Sequence, residues 1–203
     1  MKKKAFITGI AGQDGSYLAE LLTKKGYKVY GIIRRNSTVE HQKSRLEHLD
    51  KNVEISYGDL LNEASLHQLL KKIKPHEIYN LAAQSHVRVS FEIPQFTIKT
   101  NALGVANILE AYRLNCPKAK FYQASSSEMF GRSVDKDGYQ RETTPFQPTS
   151  PYGCAKVFAY NMVKHYRFAY KLFTCNGILF NHESPRRGSN FVTSKIVNGA
   201  VAI

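Results

Sequence analysis

The chain has 203 residues, 42% of them hydrophobic, which is enough for a sizeable core in one domain, or in one domain and the beginning of another. It contains no run of about 20 apolar residues, so we expect no membrane-spanning helix. The net charge is +13, but the lysines and arginines are dispersed without a basic stripe of interleaved aromatic residues, so we expect no nucleic-acid partner.

Cysteine content and the first residues indicate a cytoplasmic protein. Cys116, Cys154 and Cys175 are too few and too scattered for a disulfide framework or a zinc site, so we expect no metal. The opening sequence MKKKAFITG runs into a glycine turn without the apolar core of a signal peptide. A reducing compartment, the cytoplasm, is therefore the expected location.

Short apolar segments alternate with amphipathic segments along the chain. The predicted strands lie within residues 4–8, 28–35, 53–59, 76–83, 118–131 and 172–180. The predicted helices cover residues 14–25, 63–74, 100–115, 150–171 and 190–203, with a polar helix-like stretch before the third strand. This alternation predicts an α/β fold with a doubly wound parallel sheet, a Rossmann-type NAD(P)-binding domain.

Three glycines, Gly9, Gly12 and Gly15, follow the first predicted strand and open a predicted helix. Small residues there allow a tight turn and a close approach to a pyrophosphate, and the helix N-terminus supplies N–H groups. A purely structural turn is the alternative. The strand–turn–helix context favours a phosphate-binding loop.

The end of the second predicted strand indicates which cofactor is bound. An NAD-binding chain would place Asp or Glu there, whereas this chain has Arg34 and Arg35, followed by Asn36 and Ser37. Guanidinium groups suit a 2′-phosphate, which favours NADP; two solvated arginines are the alternative. Asp59, after the third strand, is interpreted as an acceptor for an adenine amino group or as a turn residue.

Two groups of side chains suggest the chemistry. Tyr152 and Lys156 stand four residues apart on a predicted helix, so they share a face, and the ammonium is expected to lower the pKa of the phenol. Such a phenol serves as a general base toward an alcohol. Ser126 and Glu128 follow the fifth strand; the hydroxyl can bind the reacting oxygen, and the carboxylate suggests a second proton transfer, such as elimination of water.

At this point the chain resembles the GDP-mannose 4,6-dehydratase family of the extended short-chain dehydrogenase/reductases. The resemblance covers nearly the whole chain. The matching motifs are TGIAGQDGSYLAELL from residue 8, RRNS at 34–37, GDL at 58–60, NLAAQSHV at 80–87, SSSEMFG at 125–131, PTSPYGCAK at 148–156 and LFNHESPRRG at 179–188.

The resemblance implies a role for each matching position. It assigns catalysis to Ser126, Glu128, Tyr152 and Lys156. It assigns NADP binding to Gly9, Ile10, Ala11, Gly12, Gln13, Asp14, Arg34, Arg35, Asn36, Ser37, Asp59, Leu60, Leu81, Ala82, Ala83, Gln84, Ser85, Phe96, Lys156, His182 and Arg187. Arg186 is expected to meet either phosphate or solvent.

The implied reaction converts GDP-mannose into its 4-keto-6-deoxy derivative and water. Tyr152 takes the O4 proton, Glu128 takes the C5 proton and helps water leave from C6, and NADP stores and returns the hydride. The resemblance also implies a homo-oligomer, a dimer or a tetramer.

Some positions depart from the family pattern. Ser126 replaces a usual threonine, which leaves the hydroxyl a freer rotamer, and Phe96 replaces a tyrosine that touches the cofactor. The segment TIKTN, at 97–101, is less acidic than its counterpart, and VDKDG lengthens the loop before Tyr152.

The chain is also short for the family. We therefore expect residues 1–180 to form the dinucleotide-binding domain and residues 181–203 to begin an incomplete substrate-binding region. Two alternatives remain open: a related nucleotide-sugar epimerase or reductase, which would not need Glu128, and a catalytically silent NADP-binding domain. The short length favours the silent domain, whereas the intact Tyr152, Lys156 and Glu128 argue against it.

Overall fold

A computed structural model of the protein describes residues 2–35, 44–49 and 52–202. Within these residues six strands form one sheet: β1 (Lys4–Thr8), β2 (Lys28–Ile33), β3 (Val53–Tyr57), β4 (Glu77–Asn80), β5 (Lys120–Ser126) and β6 (Thr174–Leu179). All neighbouring strands pair in parallel, in the order β3-β2-β1-β4-β5-β6. The six predicted strands and the doubly wound sheet are confirmed.

Helices connect the strands. They are α1 (Gln13–Lys24), α2 (Glu63–Ile73), α3 (Val87–Glu92), α4 (Pro94–Ile98), α5 (Gly104–Asn115), α6 (Pro151–Ala169) and α7 (Val192–Val201). Short 3₁₀ turns occupy Ser44–Leu46 and Ser127–Met129, and a π-helix occupies Lys99–Leu103.

The region between β4 and α5 differs from the sequence-based expectation. The helix predicted from residue 100 begins as the π-helix, and α3 and α4 were not predicted. The stretch VRVSF at 87–91 alternates with the period of a strand, which hides α3. Its start is stabilised by the His86 ring, which accepts a hydrogen bond from the Val89 N–H at 3.4 Å, and Pro94 opens α4.

The core lies on both faces of the sheet. On one face Phe6, Ile78 and Phe121 pack against α2, α5 and α6, and on the other Ile7 and Val29 pack against α1. Successive residues of a strand point to opposite faces, so Phe6 and Ile7 of β1 enter different halves of the core. Helices therefore cover both faces, as the strand–helix alternation predicts.

The strand order places the candidate site. The chain moves outward from β1 to β3 on one side and from β4 to β6 on the other, so the order reverses between β1 and β4. In open α/β sheets, ligands bind beyond the carboxyl ends of the strands at such a reversal. The glycine loop after β1 and the loops after β4 and β5 all lie at that edge.

Candidate active site

A cleft of about 910 Å³ lies over the carboxyl ends of the strands. Most of the predicted site residues line it. They are Gly9, Ala11, Gly12, Gln13, Asp14, Arg34, Asp59, Leu60, Leu81, Ala82, Ala83, Gln84, Ser85, Phe96, Ser126, Glu128, Tyr152, Lys156, His182 and Arg187. Residues far apart in the chain thus share one cavity.

Four predicted residues do not line the cleft with a described side chain. Ile10 is fully buried and packs into the space above Gly31. Arg35 is exposed, with its guanidinium carbon 5.6 Å from the centre of the Tyr57 ring. Asn36 and Ser37 lie outside the described residues.

The glycine loop fits a pyrophosphate. Gly9 has a φ of +68°, and a Cβ there would lie 2.8 Å from the Ala82 nitrogen. A Cβ on Gly15 would lie 2.2 Å from the Gly9 oxygen. Gly12 is the N-cap of α1 and provides no side-chain cap, so the first N–H groups of the helix have no competing side-chain acceptor. Side chains larger than hydrogen at Gly9 and Gly15 would collide with the backbone of this loop.

The groups beyond β2 and β3 form one end of the cleft. The Arg34 guanidinium lies 5.5 Å from the centre of the Phe96 ring. Asp59 lines the cleft and also accepts a hydrogen bond from the Leu61 N–H at 2.9 Å. Asp59 therefore both stabilises a turn and lines the cleft.

The loop after β4 is held by a side chain that the sequence analysis did not single out. The Asn101 amide accepts a hydrogen bond from the Gln84 N–H at 2.8 Å and donates one to the Gln84 oxygen at 2.9 Å. Asn101 lies in the π-helix, which also brings Thr100 to the cleft. The hydroxyl of Thr100 is buried and has no hydrogen-bond partner within the described part of the chain.

The predicted catalytic residues converge at the other end of the cleft. Ser126 ends β5, and its hydroxyl accepts a hydrogen bond from the Glu128 N–H at 3.2 Å, which caps the 3₁₀ turn. The Ser126 hydroxyl also lies close enough to the Tyr152 phenol to lower the pKa of that phenol. Ser150 caps α6 by accepting from the Gly153 N–H at 3.0 Å, which fixes the helix turn that contains Tyr152.

The pKa of Tyr152 departs from the expectation. Burial raises it above the ordinary value, the hydrogen bond with Ser126 lowers it, and the Glu128 carboxylate raises it further. Lys156 lies with its Nζ 5.6 Å from the Tyr152 ring centre and donates to the Ala124 oxygen at 2.7 Å. Burial also lowers the pKa of Lys156 to about 8, so its charge is itself disfavoured. The expected lowering of the phenol pKa is therefore wrong for this arrangement, because desolvation is the largest effect.

A segment after β6, residues 180–191, crosses the first turns of α1; we call it the strap. His182 Nδ1 lies 2.8 Å from the Phe180 oxygen, and Nε2 lies 2.8 Å from Asp14 Oδ1. Both ring nitrogens face oxygen acceptors, which favours the doubly protonated imidazolium. The Phe180 carbonyl and then the Asp14 carboxylate accordingly raise the pKa of His182.

One arginine fixes the strap to α1, and a second stacks on a ring within the strap. Arg186 donates to the Ser16 hydroxyl at 3.1 Å, pairs with Glu20 and stacks on Tyr17, 4.0 Å from the ring centre. It thus binds the protein itself, which neither sequence-based alternative predicted. Arg187 lines the cleft and stacks on Phe191 at 3.7 Å.

The described residues also bear on membrane and metal binding. No helix there has the length and apolar character needed to cross a membrane. The same residues include no cluster of three or more His, Cys, Asp or Glu side chains suited to a metal ion.

Solved structures share this fold. Pal from Bacillus thuringiensis superimposes with a TM-score of 0.88 at 25% identity, over 98% of this chain and 64% of that one. The dTDP-glucose 4,6-dehydratase of Bacillus anthracis, solved with NAD, gives a TM-score of 0.82 at 25% identity, over 98% of this chain and 61% of that one.

Sequence comparisons are more specific. The GDP-mannose 4,6-dehydratase of Vibrio cholerae is 52% identical over all of this chain and 56% of its own length, and the human enzyme is 50% identical over 98% and 55%. The chain thus spans about half the length of the curated relatives it matches. The family model for GDP-mannose 4,6 dehydratase matches residues 6–203. On this match, and on a cleft that unites the motifs, the chain belongs to the GDP-mannose 4,6-dehydratase family.

Proposed function

We propose that this chain binds NADP and contains the catalytic groups of a GDP-mannose 4,6-dehydratase, a hydro-lyase. The reaction converts GDP-α-D-mannose into GDP-4-dehydro-6-deoxy-D-mannose and water, as one step of nucleotide-sugar metabolism. The observation that supports this most is the convergence of Ser126, Glu128 and Tyr152 beside Lys156 in one cleft.

The cofactor would lie along the cleft from the arginines to the catalytic residues. The glycine loop and the N-terminus of α1 would bind its pyrophosphate, and Arg34, Arg35, Asn36 and Ser37 its 2′-phosphate. Asp59 and Leu60 would flank the adenine, Leu81 to Ser85 would line the nicotinamide side, and Lys156 would bind the nicotinamide ribose. Phe96, His182 and Arg187 would complete the cofactor pocket. When bound, NADP would supply a reversible hydride acceptor for C4 and a hydride donor for C6.

The side chains would move the protons. Tyr152, with Ser126 binding the same sugar oxygen, would accept the O4 proton as C4 is oxidised. The new 4-keto group acidifies C5, and Glu128 would remove the C5 proton and then give a proton to the departing C6 hydroxyl. One water leaves and the cofactor ends as it began, so the reaction involves no net oxidation.

The geometry favours elimination over simple alcohol oxidation or epimerisation. Oxidation needs a base and a hydride acceptor, and Tyr152 is sufficient as the base. Glu128 lies close enough to Tyr152 for its charge to raise the phenol pKa, so both groups can reach one sugar ring. Elimination of water requires a second proton-transfer group, and Glu128 is placed to be that group.

We also propose a division of the chain into domains and an oligomeric state. Residues 1–180 would be the dinucleotide-binding domain, and residues 181–203 the first part of the substrate-binding region. Helix α7 buries no residue, with Val192, Ile196 and Val201 all more than half exposed, so its apolar side suits further protein surface. We also propose a homo-oligomer, a dimer or tetramer, in the cytoplasm, where its three free cysteines stay reduced.

Incubation of the chain with GDP-mannose and NADP⁺ tests the proposal. The expected result is a product lighter by one water, with no net NADPH, as measured by mass spectrometry and absorbance. Glu128→Gln should stop the loss of water, and Tyr152→Phe should stop all chemistry, while both still bind NADP. An isomer of GDP-mannose would instead indicate an epimerase, and NADP binding without turnover would indicate a silent binding domain.

A further inference from the structure

A row of hydrogen bonds runs beneath the floor of the cleft, through side chains that the cleft does not expose. It begins at the loop after β4, where the Ala82 N–H donates to the Thr8 hydroxyl at 3.1 Å. The Thr8 hydroxyl donates to Asn80 Oδ1 at 2.5 Å. Asn80 Nδ2 then donates to Gln123 Oε1 at 2.7 Å. The row thus crosses from β1 to β4 and from β4 to β5.

The row ends at Lys156. Gln123 Nε2 donates to the Ala124 oxygen at 3.0 Å, and Lys156 Nζ donates to the same oxygen at 2.7 Å. Gln123 and Lys156 are therefore two donors on one carbonyl. Ala82 and Lys156, at the two ends, both line the cleft.

The direction of every bond in the row follows from its last member. The Ala124 carbonyl can only accept, so Gln123 presents its nitrogen to that carbonyl and its oxygen to Asn80. Asn80 must then present its nitrogen to Gln123 and its oxygen to Thr8, so the Thr8 hydroxyl donates to Asn80 and accepts from the Ala82 N–H. The two amides, which would otherwise be free to flip, thus each have one favoured orientation.

The side chains of the row are among the most deeply buried polar groups of the chain. Thr8 and Asn80 are 0% exposed and Gln123 is 1% exposed. Loss of one partner would leave a buried donor or acceptor unsatisfied, so the bonds hold one another in place. These side chains do not line the cleft, so an effect on its chemistry must pass through one of the two ends of the row, Ala82 or the pair of Ala124 and Lys156.

We propose that Thr8, Asn80 and Gln123 act as one unit that positions Lys156 and links it to the cleft wall at Ala82. The Gln123 amide shares the Ala124 carbonyl with the ammonium, so it sets both where the ammonium sits and how strongly the carbonyl holds its proton. The positioning of Lys156 by these side chains does not depend on the proposed function, whereas its effect on turnover rests on that function.

Tyr152, one turn earlier on α6, is the titratable group whose ring lies near Lys156, and Glu128 of the 3₁₀ turn lines the same cleft. No hydrogen bond found among the described residues joins either group to a side chain of the row. A signal that reaches Gln123 and Asn80 when Lys156 titrates therefore passes through the shared carbonyl rather than through these groups.

Side-chain amide resonances of the intact, ¹⁵N-labelled chain test the link without any change to the row. As the pH rises through the lysine titration, the Gln123 amide should shift, and the Asn80 amide should shift with the same midpoint. Lys156→Met should abolish both shifts, while Tyr152→Phe should leave them. If neither amide responds, or if the response survives Lys156→Met, the proposal is overturned.

Substitutions then test the positioning role. Gln123→Met has a similar shape but cannot donate to Ala124, so the carbonyl should hold the ammonium more tightly and the lysine midpoint should rise by roughly half a unit to one unit. Thr8→Val should also raise the lysine midpoint, but by a smaller amount. Thr8→Ser, which keeps the hydroxyl, should have the wild-type midpoint. The alkaline limb of the kcat profile, where the ammonium loses its proton, should move in the same direction as the midpoint.

A purely structural row would behave differently. Thr8→Val and Gln123→Met would lower the unfolding midpoint but leave the lysine titration where it was, and that result would overturn the proposal. The double variant adds a second test, because members of one unit should give a combined shift smaller than the sum of the single shifts. If the shift is present but the chain has no dehydratase activity, the proposed function fails and the positioning unit stands.

Discussion

The backbone oxygen of Glu128 lies 2.7 Å from the point where a Cβ on Gly153 would stand. The 3₁₀ turn that holds Glu128 and the helix that holds Tyr152 therefore meet with no side chain between them. Because Ser126 caps that turn and lies beside the phenol, the distance between carboxylate and phenol depends on this backbone contact.

Gly153→Ala should therefore disturb catalysis as well as stability. The added methyl group must push the turn away from α6, which we expect to cost about 1–3 kcal/mol of unfolding free energy and to lower turnover at least tenfold. Urea unfolding and product formation measure the two effects. Gly199→Ala in α7 is the control, because a Cβ there meets nothing within 4 Å, and helix propensity should make it neutral or slightly stabilising. Equal behaviour of the two variants would contradict the close contact.

The buried charge of Lys156 should destabilise the protein at neutral pH. Its pKa falls from 10.5 to about 8 on folding, so the unfolded chain binds more protons between these values, and stability rises with pH through that window. Below pH 8 the native state bears the whole cost of the buried charge, about 3 kcal/mol at most. Lys156→Met should thus be more stable than the wild type at pH 7, and the difference should shrink above pH 8.

Urea unfolding of both proteins at several pH values between 7 and 9.5 checks this prediction. Lys156→Met should lack the rise in stability across that range and should be inactive as a dehydratase. Lys164→Met is a suitable control, since Lys164 is an exposed residue of the same helix. A wild-type stability that is flat or falling from pH 7 to 9.5, relative to Lys156→Met, would show that the lysine is not desolvated.

The strap should respond to pH through His182. Its pKa is raised on folding, so its stabilising contribution is complete below the unfolded value of 6.5 and is lost as the pH rises through the folded pKa. Asp14→Asn should lower the pKa of His182 but leave part of the rise, because the Phe180 carbonyl remains as the larger cause. NMR titration of the ring proton measures both values; an unchanged pKa in Asp14→Asn would exclude the pairing.

The sequence predicted the sheet and most of the cleft because both depend on local signals. Apolar runs mark the strands, and the glycine spacing and the Tyr152–Lys156 spacing mark the loop and the helix. The predicted direction of the Tyr152 pKa shift was wrong because desolvation depends on how the whole chain packs, not on a four-residue spacing. His182 and Asp14 lie 168 residues apart, and the resemblance placed both at the cofactor without indicating that they touch.

The region between β4 and α5 was the least predictable for a related reason. Alternation in VRVSF indicates a strand, yet the fold requires short helices there, so tertiary packing overrides the local pattern. The buried row through Thr8, Asn80 and Gln123 gave no sequence signal either, since its members stand on three separate strands and meet only when the sheet forms.

Thr100→Val should raise the stability of the protein. Thr100 is 8% exposed, and its buried hydroxyl has no hydrogen-bond partner among the residues that the structure describes, so burial of the hydroxyl costs free energy. Valine keeps the shape without the hydroxyl, and we expect about 1 kcal/mol more unfolding free energy. Thr97→Val is the matched control one turn earlier, because the Thr97 hydroxyl lies 3.1 Å from the Ile93 oxygen and 3.2 Å from Gln84 Oε1.

The two threonine variants should therefore change stability in opposite directions. Thr100 lines the cleft but its hydroxyl oxygen is buried, so we expect Thr100→Val to leave the affinity for NADP unchanged. Urea unfolding and calorimetric titration with NADP⁺ measure the two quantities on the same samples. Destabilisation of Thr100→Val to the extent of Thr97→Val would show that the Thr100 hydroxyl has a protein partner, and the prediction would then be wrong.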